Sequence, residues 1–402
     1  MTRNRRVLAV VTAAVCATVL AGCGRAAPGA DSGPGGGSEP YTVSLFADIS
    51  GPFAPFVSHG VGGFQTAIAA INDAGGVNGR QIKLNNPIDA QSTPQGAQVA
   101  ARQAVGQAPV AILVSTASTE LASVASVLAG AGTTTLAVPN DDGQAVPPKP
   151  YYFSATVSSP VAAKAYANAI EQELGTLSGK NIAIVVNNAA TSVAYADGLK
   201  KLVEAAGGRV SNYLKNEPTI SSFTSQAGQI MQNKPDAMMI NDSTTNTAIE
   251  VAALHDAGYT GAIFGGTAAN DDATLKKTSD EGGDYRGPRE WKTPVEGDQV
   301  WAAAEKYGHL DSAKAGVYFS KGYMLAYALK AGLEACGTNC DAKALPAAMA
   351  KASKVTAPGD LGFGASGFTA DNHVLLQALQ FFGWDKASGK PAALGQPISM
   401  VD

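Results

Sequence analysis

The stretch Ala70-Ile71-Asn72-Asp73-Ala74-Gly75-Gly76-Val77-Asn78-Gly79-Arg80 closes one structural element and opens the next. Upstream, residues 60–73 place apolar side chains at helical spacing, and Gly75 and Gly76 can take the left-handed backbone conformation that ends a helix. Downstream, residues 81–86 read as a strand. The same unit recurs outward. Short apolar runs at 42–47, 110–114 and 134–138 read as strands, with helices expected at 94–105 and 120–128.

A second cycle follows, with strands expected at 181–186, 209–213, 236–240 and 262–264 and helices at 161–174, 193–206, 223–232 and 247–257. Two consecutive β-α series predict an α/β fold with two Rossmann-like lobes, each a parallel sheet covered by helices. In such sheets a ligand sits at the carboxyl ends of the strands. The loops after Ala47, Asn86, Val114, Val138, Val186, Ile240 and Phe264 are therefore the ones to examine. The remaining chain holds a long helix at 317–335, a glycine-rich passage at 357–367 and a final strand pair near 375–384.

Arg3, Arg5 and Arg6 precede an apolar run from Val7 to Leu20 and then Leu20-Ala21-Gly22-Cys23. A charged start, a short apolar run and small residues before a cysteine read as a secretory signal at 1–22. The run is about 14 residues, shorter than the roughly 20 that a permanent membrane-spanning helix needs. Its last residues resemble a bacterial lipobox, which would place a lipid on Cys23; the alternative is a chance cysteine after an ordinary signal. Residues 23–40 are rich in Gly, Ala, Pro and Ser and read as a flexible tether. Arg5-Arg6 leaves the export route open.

About 360 residues remain, more than one core usually serves. Hydrophobic residues make up 45% and charged ones 15%, with a formal net charge of -4, so nothing attracts nucleic acid or an anionic membrane surface. Attachment to the membrane is expected through lipid only, outside the cytoplasm. Cys336 and Cys340 are left for the folded part; in an oxidising compartment they read as a disulfide, since two cysteines alone make a poor zinc site.

Ser50-Gly51-Pro52, the stretch 70–80, Asp89 with Ser92-Thr93-Pro94, Val203-Glu204-Ala205-Ala206-Gly207-Gly208, Pro235-Asp236-Ala237 and Ala257-Gly258-Tyr259 together resemble the branched-chain amino-acid binding proteins, a group of type I periplasmic solute-binding proteins. The resemblance spans most of 41–384. It implies two lobes, 41–157 plus 288–368 and 158–287 plus 369–402, that close over a solute about three crossovers near 155–158, 284–288 and 366–371. Its partners would be a small polar solute and the membrane permease of an ABC transporter, or a receptor if the protein is a sensor. No cofactor is implied, and a monomer is expected.

Site positions follow from the resemblance one at a time. The loop after the third strand, Val114-Ser115-Thr116-Ala117-Ser118-Thr119, would offer hydroxyls and amides to a polar or anionic group, chiefly from Ser115, Thr116 and Ala117; plain helix capping by Ser118 or Thr119 is the alternative. The next loop, Pro139-Asn140-Asp141-Asp142, brings Asn140 and Asp141 to the cleft; two acids there would repel a ligand carboxylate, or else face water. Phe53 and Phe56 would line a side-chain pocket. Tyr195 would pack on the ligand or in the core. The family glutamate that grips an ammonium falls near Thr267, so Asp242, Asp271 or Asp272 would have to replace it. A cleft this rich in polar groups suits a hydrophilic neutral or cationic solute.

Catalytic motifs are missing: no Gly-x-Ser-x-Gly, Ser-x-x-Lys, His-Glu-x-x-His or phosphate loop occurs. His59, His255, His309 and His373 are scattered singly, so no catalytic or metal site is expected. Gly362, Gly364 and Gly367 form Gly-x-Gly-x-x-Gly outside any β-α-β start, which reads as a hinge passage. A binding protein, rather than an exported enzyme, is the expectation.

Overall fold

The computed structural model describes residues 39–400 apart from 218, 268 and 377. The expected signal at 1–22, Cys23 and nearly all of the tether at 23–40 lie outside the described residues.

The first sheet is built from β1 (Tyr41–Ala47), β2 (Ile82–Leu84), β3 (Ile88–Asp89), β4 (Ala111–Ser115), β5 (Thr134–Ala137) and β6 (Tyr152–Ser154). Its order is β2-β1-β4-β5-β6, with β3 also beside β1. All pairs are parallel; Val43 stands opposite Ala111 and Phe46 opposite Val114. Helices cover both faces, which is why β4 is buried throughout and reads Ala-Ile-Leu-Val-Ser rather than alternating.

The second sheet holds β7 (Asn181–Asn187), β8 (Arg209–Asn216), β9 (Ala237–Asn241), β10 (Ala262–Gly265), β11 (Asp284–Arg289), β12 (Ala378–Asp385) and β13 (Lys390–Ser399) in the order β13-β12-β11-β10-β9-β7-β8. It is parallel from β8 to β11 and antiparallel at its β12-β13 edge. The two α/β layers expected from the sequence are present, with differences in particular elements. β6 has only three residues and β11 reads Asp-Tyr-Arg-Gly-Pro-Arg, so neither carries an apolar period; pairing with neighbours makes them strands. The helix expected at 120–128 is two short ones, Ser118–Ser123 and Ala125–Ala131. Near 375–384 lies one strand, and its partner is β13 beyond it.

The opening stretch does what its residues dictate. The helix His59–Asp73 ends at Gly75 (φ 101°) and Gly76 (φ 76°), whose amides donate to Asn72 O and Ile71 O. A Cβ on Gly76 would lie 2.1 Å from Arg80 O. Asn78 (φ 50°) and Gly79 (φ 77°) then form the tip of a tight turn between Val77 and Arg80, whose backbones bond each other at 2.8 and 2.9 Å.

Three passages join the sheets. The first leaves β6 and enters the helix Ser159–Leu174; the second follows Arg289; the third lies beyond Val374, which still pairs with Ser154 of the first sheet. Strand pairing in the second sheet thus runs through Arg289, and pairing with the first sheet persists to Val374. Gly362, Gly364 and Gly367 precede the third passage; Gly367 packs on Ser353, whose carbonyl oxygen a Cβ would approach to 2.1 Å.

In the second sheet Asn216, at the end of β8, donates through Nδ2 to Asp242 and Glu250. Asp242 also accepts from Ser243 N at 2.7 Å and Asn246 Nδ2 at 3.1 Å. Glu250 and Asp242 are both buried, and Glu250 Oε2 has no hydrogen-bond partner. Burial first, then the neighbouring Asp242 carboxylate, push Glu250 well above the ordinary carboxylate range.

Two outcomes follow from this packing. His59–Asp73 lies against Val317–Cys336 backbone to backbone: a Cβ on Gly63 would sit 2.1 Å from Phe319 O, and one on Gly322 2.1 Å from Gly60 O. Gly322→Ala should destabilise the fold by about 1–3 kcal/mol through overpacking, read from urea unfolding; an unchanged midpoint would contradict the contact. Unfolded Glu250 loses its proton near its ordinary value of 4.5 while the folded group keeps it, so this group's contribution to stability falls as pH rises above 4.5. Glu250→Gln should accordingly melt higher than the parent at pH 8, with the gap closing towards pH 4.5.

Candidate functional site

A cavity of about 940 Å³ opens between the carboxyl ends of the two sheets. Loops after β4 and β5 wall it on one side. The helix Ala190–Ala205, Asn241, Thr267 and residues 270–272 wall it on the other, and the first two passages form its floor.

Most residues expected at the site are brought together here. Phe53 and Phe56 stand on the lip, 41% and 61% exposed. Thr116, Ala117, Asn140, Asp141, Tyr195 and Thr267 line the walls. Two are not in the cavity wall. Ser115 is buried with its hydroxyl donating to Val57 O, pressed beneath Gly60. Asp242 is held behind Asn241 by the contacts given above. The amide of Ala117 is also engaged, donating to Asp48 Oδ2 at 3.1 Å, while Asp48 Oδ1 accepts from Ser92 N at 3.0 Å. Asp48 thus fastens the loop after β4 to the loop before the helix Pro94–Gly106.

The acids after β5 differ from the open pair expected. Asp141 caps a short helix, accepting from Gly143 N at 3.1 Å and Gln144 Nε2 at 2.9 Å. Asp142 accepts from Asn140 Nδ2 at 2.7 Å and from the amide of Ser159, the first residue of Ser159–Leu174, at 3.0 Å. A carboxylate at a helix N-terminus meets free amides and the positive end of the helix dipole. These oxygens already have donors, so they weigh less against a ligand anion than two open carboxylates would. Asp271 likewise caps Asp272–Asp280, accepting from Thr274 N at 2.9 Å, and Asp272 pairs with Arg289 at 2.5 Å on the exposed rim.

The floor holds residues that sequence reasoning passed over. Glu290 and Lys321 form an ion pair, 4% and 8% exposed, and Lys321 Nζ also donates to Thr156 Oγ1 at 2.8 Å. Trp291 donates its indole N–H to Ala155 O at 2.9 Å. Tyr195 faces this floor; burial first, then the charge of Glu290, hold its hydroxyl well above its ordinary value. One signal was available: Lys321 interrupts the apolar first half of Val317–Cys336, amid Tyr, Phe, Met, Leu and Ala.

Cys336 and Cys340 are joined as a disulfide, Cα to Cα 5.3 Å. Among the described residues no cluster of three or more His, Cys, Asp or Glu side chains is arranged to hold a metal, and no helix is long and apolar enough to cross a membrane.

Residues 40–390 match the family described as periplasmic binding protein. A curated relative, the Leu/Ile/Val-binding protein homolog 3 of Brucella melitensis, is 22% identical over 349 residues, covering 86% of this chain and 91% of that protein. Two solved structures share the fold. An ABC transporter substrate-binding protein from Sphaerobacter thermophilus superimposes with a TM-score of 0.73 at 18% identity, covering 90% of this chain and 99% of that one. A solute-binding protein of an ABC transporter from R. palustris, in complex with benzoate, gives 0.67 at 19%, covering 90% and 98%. Two α/β layers, a cleft at their carboxyl ends and a family match across most of the chain agree: the protein belongs to the periplasmic binding protein family, whose members bind solutes and are not enzymes.

Proposed function

We propose that the protein is an extracytoplasmic, lipid-anchored solute-binding component of an ABC-type uptake system, trapping a small polar solute between its two lobes. The observation that carries this reading is the cleft itself: about 940 Å³ bounded by groups from both sheets, with three passages beneath it. The names of the relatives, a Leu/Ile/Val-binding protein and an ABC transporter substrate-binding protein, support the transport assignment. An amino acid, an amide or a related hydrophilic molecule suits walls that carry Thr116, Asn140, Asn241 and Thr267.

The mechanism is a population shift. Contacts to both walls favour the closed arrangement over the open one, and the permease discriminates between them. The moving segments in this reading lie near 155–158, after Arg289 and beyond Val374, where strand pairing passes from one sheet to the other. Cys23 would carry the anchor.

Native mass spectrometry of protein purified from its own host should reveal a copurifying small polar molecule. Adding that molecule to stripped protein should raise the melting temperature and reduce the radius of gyration in solution scattering. Identical scattering profiles with and without a stabilising solute would rule out lobe closure. Cys23→Ala should move the protein from the membrane fraction to the soluble exported fraction; retention on the membrane would exclude the lipid anchor.

A further inference from the structure

The floor of the cleft has an unfilled acceptor. Glu290 Oε2 is held by Lys321 Nζ, while Glu290 Oε1 lies away from water and has no hydrogen-bond partner. Buried polar atoms are paired in the great majority of cases, and an unpaired carboxylate oxygen is among the costlier exceptions. The neighbouring donors are engaged elsewhere. Thr156 donates to Val138 O at 2.7 Å, Trp291 to Ala155 O, and Tyr166, whose hydroxyl is raised by burial and then by Glu290, donates to Gly265 O at 2.7 Å. Lys321 is shared between Glu290 and Thr156. Tyr195 stands in the facing wall without bonding Glu290. Nothing in the protein fills the position, and Glu290 is part of the cavity wall.

We infer that Glu290 is a specificity-determining residue: as the lobes close, Oε1 accepts a hydrogen bond from an N–H group of the solute, so the solute presents a protonated amine, a guanidinium or a carboxamide to the floor. This rests on the solute-binding reading above. A carboxylate presented to Oε1 would bring like charges together in a low-dielectric wall. A neutral hydroxyl or carboxamide would be assisted only by the charge of Glu290, whereas an ammonium or guanidinium brings its own charge to the bond as well. Glu290 thereby supplies, from the end of β11, the acid that the loop at Thr267 lacks.

The test uses the mature chain and two sets of probes of similar size in thermal-shift and calorimetric titrations. Agmatine, argininamide, glycinamide and leucine form the N–H set; glutarate, benzoate and ribose form the other. Stabilisation by one or more N–H probes is expected, with affinity falling on the order of 10- to 100-fold in Glu290→Gln. That variant leaves Lys321 without its partner, so Glu290→Gln with Lys321→Met is titrated beside it. Stabilisation by glutarate, benzoate or ribose alone overturns the role of Glu290 while leaving solute binding intact. An N–H probe that binds both variants as tightly as the parent overturns it too. Stabilisation by no probe of either set counts against both the Glu290 assignment and the solute-binding reading.

Discussion

Ser154, Ala155 and Thr156 take contacts from everything else that passes between the sheets. Ser154 donates its amide to His373 O and accepts from Leu375 N, which binds the third passage to the first at 2.9 and 2.8 Å. Ala155 O receives the indole N–H of Trp291, binding the second passage to the first. Thr156 receives Lys321 from the helix Val317–Cys336. His373 adds to this knot by stacking on Phe153, ring centroids 4.3 Å apart, with its Nδ1 between the carbonyls of Lys149 and Tyr152. Three strands of chain that are distant in sequence are thus fixed within a few residues of one another, and the cleft walls take their positions from that knot.

The ion pair on the cleft floor is poorly explained as a stabilising device. Removing two charges from water costs several kcal/mol per ion, which mutual attraction offsets only when the remaining polar atoms are also satisfied. Here one oxygen of Glu290 is not. A buried pair of this kind is weak evidence of stabilisation, and its place in the cavity wall fits the recognition role proposed for Glu290. Asp142 is the counterexample: every contact it makes is with the protein, and it ties a loop of the first sheet to the first helix of the second.

The two-layer architecture was legible because it rests on local signals. Glycine-closed helix ends such as 70–80 and apolar runs such as 111–114 dictate their own conformation, so the element series could be read in order. β6 and β11 were not, since three residues, or a run containing Gly287 and Pro288, become strands only through their neighbours. The site was half legible. Loops after strands could be named, which brought in Thr116, Asn140 and Tyr195. Direction could not: whether a hydroxyl such as that of Ser115 turns to the cavity or to Val57 O depends on a helix packed above it. Glu290 and Lys321 were passed over because they meet from elements about thirty residues apart in a region with no motif.

The glycine contact between His59–Asp73 and Val317–Cys336 has a mechanical meaning. With Gly63 and Gly322 seated against carbonyl oxygens of the opposite helix, neither helix can slide or roll on the other without collision. The pair is a stiff plate, and Lys321 is rooted in it one residue from Gly322. Under the proposed closure, deformation would be channelled away from this helix pair and into the passages, so the energy a solute releases on binding would turn one rigid jaw rather than be dissipated in bending it.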